Sequence, residues 1–208
     1  MTKEEVTRVL LTEFAPNLPG FKSRKRESDF VRHFPGGRQR IAFAIVDQRP
    51  EFKVAPVFSF RLDAAEEILH AVLGTPPQYR KMTTTTVTRL DYFFPGHEYV
   101  EYSIATPGEI AEVARELAPH LRDRIVPFLD AHRDLGSIEG AVNPEDGPSW
   151  DQTSPPYHQM SSLILARLAD NPRFESLVER CLREADEWDP ADQARLRELV
   201  DRLRNRAP

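Results

Sequence analysis

Residues 30–46 read FVRHFPGGRQRIAFAIV. On both sides of Pro35-Gly36-Gly37 the side chains alternate with a period of two, and the Pro-Gly-Gly is a turn signal. The stretch therefore predicts an antiparallel hairpin. Its second arm puts Ile41, Phe43 and Ile45 on one face and Ala42, Ala44 and Val46 on the other. A strand apolar on both faces is expected inside a sheet, with something covering each side.

Outward from this hairpin the signals continue. Asp47 to Glu51 is a second turn, and Phe52, Val54, Phe58 and Phe60 resume the alternation. Pro56 cannot donate to a ladder and predicts a bulge or an open edge there. Thr83 to Thr88 is largely β-branched and predicts a strand, continued by Leu90, Tyr92 and Phe94; Pro95-Gly96 turns it into a last strand over 99–105. Helices bracket these strands. Thr2 with Glu5 forms a capping box ahead of Val6, Val9, Leu10 and Phe14. Asp63 with Glu66 reads as the cap of a helix that ends at Gly74. Thr106-Pro107 opens a long apolar stripe from Ile110 to Leu129, with breaks expected at Pro119 and Pro127. The order predicts an α+β fold: a mainly antiparallel sheet of about five strands, covered by helices.

Residues 134–156 hold three Gly and four Pro and show no periodicity. They read as an irregular linker in which Trp150 looks exposed. Beyond it, helices are predicted over about 157–169, 172–186 and 190–205, with Asn171-Pro172 and Asp189-Pro190 as start signals. The domain reading is therefore 1–133, a linker over 134–156, and a small helical module over 157–208.

The chain carries 28 Lys and Arg against 33 Asp and Glu. The difference is uneven: residues 1–100 hold 15 basic and 12 acidic side chains, residues 101–208 hold 13 and 21. The longest unbroken apolar run, Ile41 to Val46, is six residues, against about 20 for a membrane-spanning helix. The opening MTKEEVTRVLL is charged where a secretory leader is apolar, so a soluble cytoplasmic protein is expected. The single cysteine, Cys181, excludes an intramolecular disulfide and any multi-cysteine zinc site. Cys181 shares an apolar stripe with Leu177, Val178 and Leu182, which reads as a structural thiol.

Within the first half, Lys22, Arg24, Lys25, Arg26, Arg32, Arg38 and Arg40 form a basic stripe. Such a stripe either binds an anionic partner or is the solvated face of an edge hairpin. Internal neutralisation is expected from the acidic long helix, through Glu109, Glu112, Glu116 and Asp123. The pI near 5.7 counts against a dedicated nucleic-acid binder. A cluster of aromatics that includes Tyr92 and Tyr99 either lines a groove or packs across strands. No His-x-x-x-His pair, serine-nucleophile elbow or phosphate loop occurs. His97-Glu98 has Glu101 where a zinc motif needs histidine. No catalytic set, metal site or cofactor is assigned.

An amphipathic helix running into Gly20-Phe21-Lys22, a basic stretch, Phe30-Val31-Arg32 and later Pro127-Phe128-Leu129-Asp130 resembles a bacterial family of unknown function that opens with a GFkkk…FyR-like pattern. The resemblance covers about residues 5–132. Val31 stands where that family tends to have an aromatic. The family implies stand-alone cytoplasmic proteins, some serving as immunity or partner proteins, and no site residues follow from it.

The expectation is a non-enzymatic binding or interaction protein with another protein as partner. Its candidate binding residues are Arg24, Lys25, Arg26, Arg32, Arg38, Arg40, Tyr92 and Tyr99. An enzyme with a site between sheet and helices, and weak nucleic-acid association through residues 22–40, are the alternatives.

Overall fold

The computed structural model describes residues 1–94 and 100–206. The fold is α+β. Four strands follow the first helix, α1 (Lys3–Phe14): β1 (Lys22–Arg24), β2 (Asp29–Phe34), β3 (Gly37–Gln48) and β4 (Glu51–Leu62). Next come α2 (Asp63–Leu73), the short α3 (Pro77–Arg80), β5 (Thr86–Arg89) and β6 (Tyr102–Ile104). The sheet runs β1-β2-β3-β4-β5, and β6 also pairs with β4. The pairings of β1 with β2, β2 with β3 and β4 with β6 are antiparallel. Gly36, at φ +77°, makes the β2–β3 turn with Phe34 opposite Gly37.

The chain folds as two compact units, Met1–Ser59 with Thr88–Arg133, and Phe60–Val87 with Asp134–Pro208. In the first, α1 lies against β3 and against α4 (Pro107–His120). The Thr2–Glu5 capping box forms, and Val6, Leu10 and Phe14 bury completely. Phe14 stacks on Phe43 with ring centroids 5.1 Å apart. As expected, β3 lies between β2 and β4. Only one of its faces is covered along its whole length, however. Ile41, Phe43 and Ile45 are buried, whereas Ala44 is exposed and Val46 keeps half its surface. Thr106 caps α4 by accepting the Glu109 amide. A π-helical turn, Leu121–Ile125, separates Pro119 from α5 (Val126–Ala131), which has Pro127 in its first turn.

Two strand expectations need correction. Leu90–Phe93 is a 3₁₀ turn rather than a continuation of β5, because its aromatics turn into a ring cluster instead of along a ladder. Of the last strand only Tyr102–Ile104 pairs. Pro95-Gly96, His97 and Tyr99 lie outside the described residues.

The second unit is built on α7 (Tyr157–Leu168). Gln159 to Ala166 are buried without interruption, so α7 is enclosed on all sides. It contacts α2, α6 (Leu135–Val142), α8 (Phe174–Glu184) and α9 (Pro190–Arg204). Gly74 closes α2 in the left-handed conformation, and Asp189 caps α9. The stretch read as an irregular linker contains α6, capped by Asp134. Trp150 is fully buried, 4.8 Å from Phe60 between ring centroids. Gly136 and Gly140 mask the helix in sequence. Glu66, read as a capping residue, is buried: it accepts the hydroxyls of Thr83 and Thr85 and lies 3.4 Å from Arg61. Asp63 pairs instead with Arg61 at 2.8 Å, and α2 starts without a side-chain cap.

Candidate functional site

The basic stripe divides into residues already paired and residues that are not. Asp29 has a fully buried carboxylate. Arg24 donates to it from Nε and Nη2 at 2.8 and 2.6 Å, and Arg40 donates to it from Nε. The hydrogen bond to Asp29 raises the pKa of Arg24. Arg32 pairs with Asp130 at 2.8 Å, donates to Gln39 and lies over the Phe21 ring. Neutralisation of Arg24, Arg32 and Arg40 thus comes from Asp29 and Asp130 rather than from α4. Glu109 accepts the Ala105 amide, and Asp123 pairs with its neighbour Arg122. Arg38 is half-buried on β3.

Lys25 and Arg26 are exposed and line an open groove of about 580 Å³, together with Lys3 and Arg8 of α1. Among the described residues, none of these four cations makes a salt bridge. Tyr92 belongs to a different cluster. Its ring meets Phe93 and Phe128 edge-on at 5.5 and 6.2 Å, and burial raises its pKa. The hairpin residues and Tyr92 therefore do not form one site.

An enclosed polar site lies in the second unit, where α6, α7 and α8 surround a cavity of about 240 Å³. One wall is His158, on the first turn of α7. Its Nδ1 lies 3.2 Å from Oδ2 of Asp151, a carboxylate with no exposure. Asp151 is itself held: its Oδ1 accepts the amides of Val87 at 3.1 Å and Thr153 at 3.0 Å. A histidine whose Nδ1–H is given to a fixed carboxylate presents Nε2 as an acceptor. Sequence reading assigned Asp151 to a linker and His158 to nothing. Asp-Gln-Thr is the local signal, an Asx turn; the fold-back onto His158 across Pro155-Pro156 has no periodic signature.

Asn143, Ser149 and Ser162 at the cavity are already satisfied. Asn143 donates to Glu139 at 3.0 Å and to the Ser162 carbonyl, and accepts the Ser162 hydroxyl. The Ser149 hydroxyl donates to the Val142 carbonyl at 2.7 Å. Arg173 donates to the carbonyls of Asn143 and Pro144 and so closes the C-terminal end of α6. Cys181, at the cavity wall, is 1% exposed. Burial, with Glu184 nearby, pushes its thiol up to about 11.

Gln159 is the exception. It is 7% exposed and donates from Nε2 to Glu184 Oε2 at 2.9 Å. Its Oε1 is buried and has no hydrogen-bond partner among the described residues. Among those residues no group of three His, Cys, Asp or Glu side chains is placed to hold a metal ion, and no helix is long and apolar enough to cross a membrane. Scanned against protein-family models the chain matches none, and searches of curated proteins and of solved structures find no significant match either.

Proposed function

We propose that this chain is a binding protein whose helical unit takes up a small polar ligand in the cavity between α6, α7 and α8. The observation that carries the reading is His158, held at the cavity wall by the buried Asp151. Burying a carboxylate to orient one ring is costly unless the ring is used. At about 240 Å³ the cavity is smaller than the roughly 300–1,000 Å³ of drug-sized sites, which favours a ligand no larger than an amino acid or a single sugar.

The same pair favours a second reading, general-base chemistry at His158 Nε2. Binding is preferred because the candidate nucleophiles at the wall are committed. The Ser149 and Ser162 hydroxyls donate to oxygens other than a base, and the Cys181 thiol is held protonated by burial. Nucleic-acid association has less charge to work with than the stripe suggested, since Arg24, Arg32 and Arg40 are neutralised within the fold.

The test is thermal denaturation of the full chain against a panel of amino acids, amines, short carboxylates and sugars, for the native protein and for His158→Ala. A ligand at one hundred times its Kd stabilises by about 2.7 kcal/mol. The expected result is a hit that raises the native melting temperature and not that of the variant. A panel without stabilisers, or hits of equal size in both proteins, would contradict the reading. Turnover of a hit by the native chain alone would favour the enzymatic one.

A further inference from the structure

Resting on the reading of this cavity as a ligand site, we propose that its ligand carries a primary ammonium group, received by the Gln159 amide oxygen and the Glu184 carboxylate. The argument starts from α7. A helix enclosed on every side is normally apolar throughout, yet here Gln159, Ser161 and Ser162 lie in its buried run. Ser162 is accounted for by Asn143. Gln159 is only half accounted for: its NH₂ group is spent on Glu184, which orients the amide and leaves Oε1 as the unmade bond. A buried acceptor without a partner is costly, and a donor from a ligand recovers that cost.

The required donor is cationic because of what stands beside the amide. The Gln159–Glu184 bond brings a carboxylate to one side of the same amide, so a neutral and an anionic acceptor belong to adjoining side chains of the cavity lining. Glu184 is not saturated. Its other oxygen, Oε1, lies 3.8 Å from Arg180 Nε, with both side chains about half exposed, a geometry that contributes little. An ammonium brings three donors and a charge and can serve both oxygens at once. A carboxylate ligand would be repelled by Glu184 and would have to turn to Arg180, the guanidinium of the same lining.

The experiment uses the full chain and two fragments of opposite charge, methylammonium chloride and sodium acetate, at equal ionic strength. The Gln159 side-chain amide and the His158 ring are followed by NMR. Methylammonium is expected to shift both saturably, and acetate is not. Glu184→Gln, which preserves shape, should weaken methylammonium about tenfold, the scale of one charge-assisted bond. Gln159→Leu should abolish the saturable response while far-UV dichroism is retained. Saturation by acetate and not methylammonium overturns the ligand class and leaves the cavity reading standing. No shift with either fragment overturns both. An unchanged methylammonium affinity in Glu184→Gln overturns the role given to that carboxylate, and with it the cationic class.

Discussion

Asp29 is a carboxylate without solvent exposure in a hairpin at the sheet edge, and two arginines make that possible. Removing both partners leaves a buried charge uncompensated, which costs about 3–5 kcal/mol. The double variant Arg24→Ser with Arg40→Ser should therefore lose that much in urea denaturation. Lys25→Ser with Arg26→Ser, on the same stripe, should stay within about 0.5 kcal/mol, because neither side chain pairs with anything among the described residues. Equal losses in the two double variants would show that Asp29 is not the organising group. Cys181 gives a second test at this scale. With its thiol up to about 11, roughly a thousandth is thiolate at pH 8. Iodoacetamide should label the native chain far more slowly than the urea-unfolded chain. Rapid native labelling would mean that the wall of the cavity opens.

At the scale of elements, β3 and α6 show how a pattern becomes packing. The two faces of β3 look alike in sequence, but Phe43 stacks on Phe14 of α1 while Val46 keeps half its surface. Phe43→Ala should cost about 3–5 kcal/mol as a core truncation, and Val46→Ala well under about 1. Comparable losses at the two positions, read from denaturant midpoints, would place a cover over the outer face. Trp150 follows α6 and is fully buried against Phe60. Trp150→Ala should destabilise by about 3–5 kcal/mol. An effect below about 1 kcal/mol would return 143–156 to the status of a passive connection.

For the whole molecule, the path of the chain matters more than any one element. The backbone passes from one compact unit to the other at 59–60, 87–88 and 133–134. The second unit therefore includes residues 60–87 as well as the C-terminal helices. Within it, α2 contacts α7 and α9, Phe60 meets Trp150, and Val87 exchanges hydrogen bonds with Asp151 and Gln152. A fragment of residues 134–208 lacks these partners. It should show helical dichroism without a cooperative melt and without dispersed methyl resonances. A sharp two-state transition from that fragment would show that its helices form a domain of their own. The binding function proposed above belongs to this scale as well, since the group that orients His158 is itself held by the Val87 amide of an earlier segment.

The features legible in the sequence are those settled within about four residues. The Thr2–Glu5 box, the Thr106 and Asp189 caps, the left-handed Gly74 and the Pro35-Gly36-Gly37 turn all depend on bonds between near neighbours. The three C-terminal helices also follow from period and punctuation. Tertiary structure decided the rest, because each such feature joins distant residues. Asp29 is buried by Arg40, eleven positions on, and Glu66 turns inward for Thr83 and Thr85. Gln159 is oriented by Glu184, a full helix away. A polar side chain's burial cost depends on partners that arrive only when elements pack. The residue types proposed to bind were plain in the sequence; that His158, Gln159 and Glu184 share one cavity, with Asp151 holding the His158 ring, is a property of the packed helices.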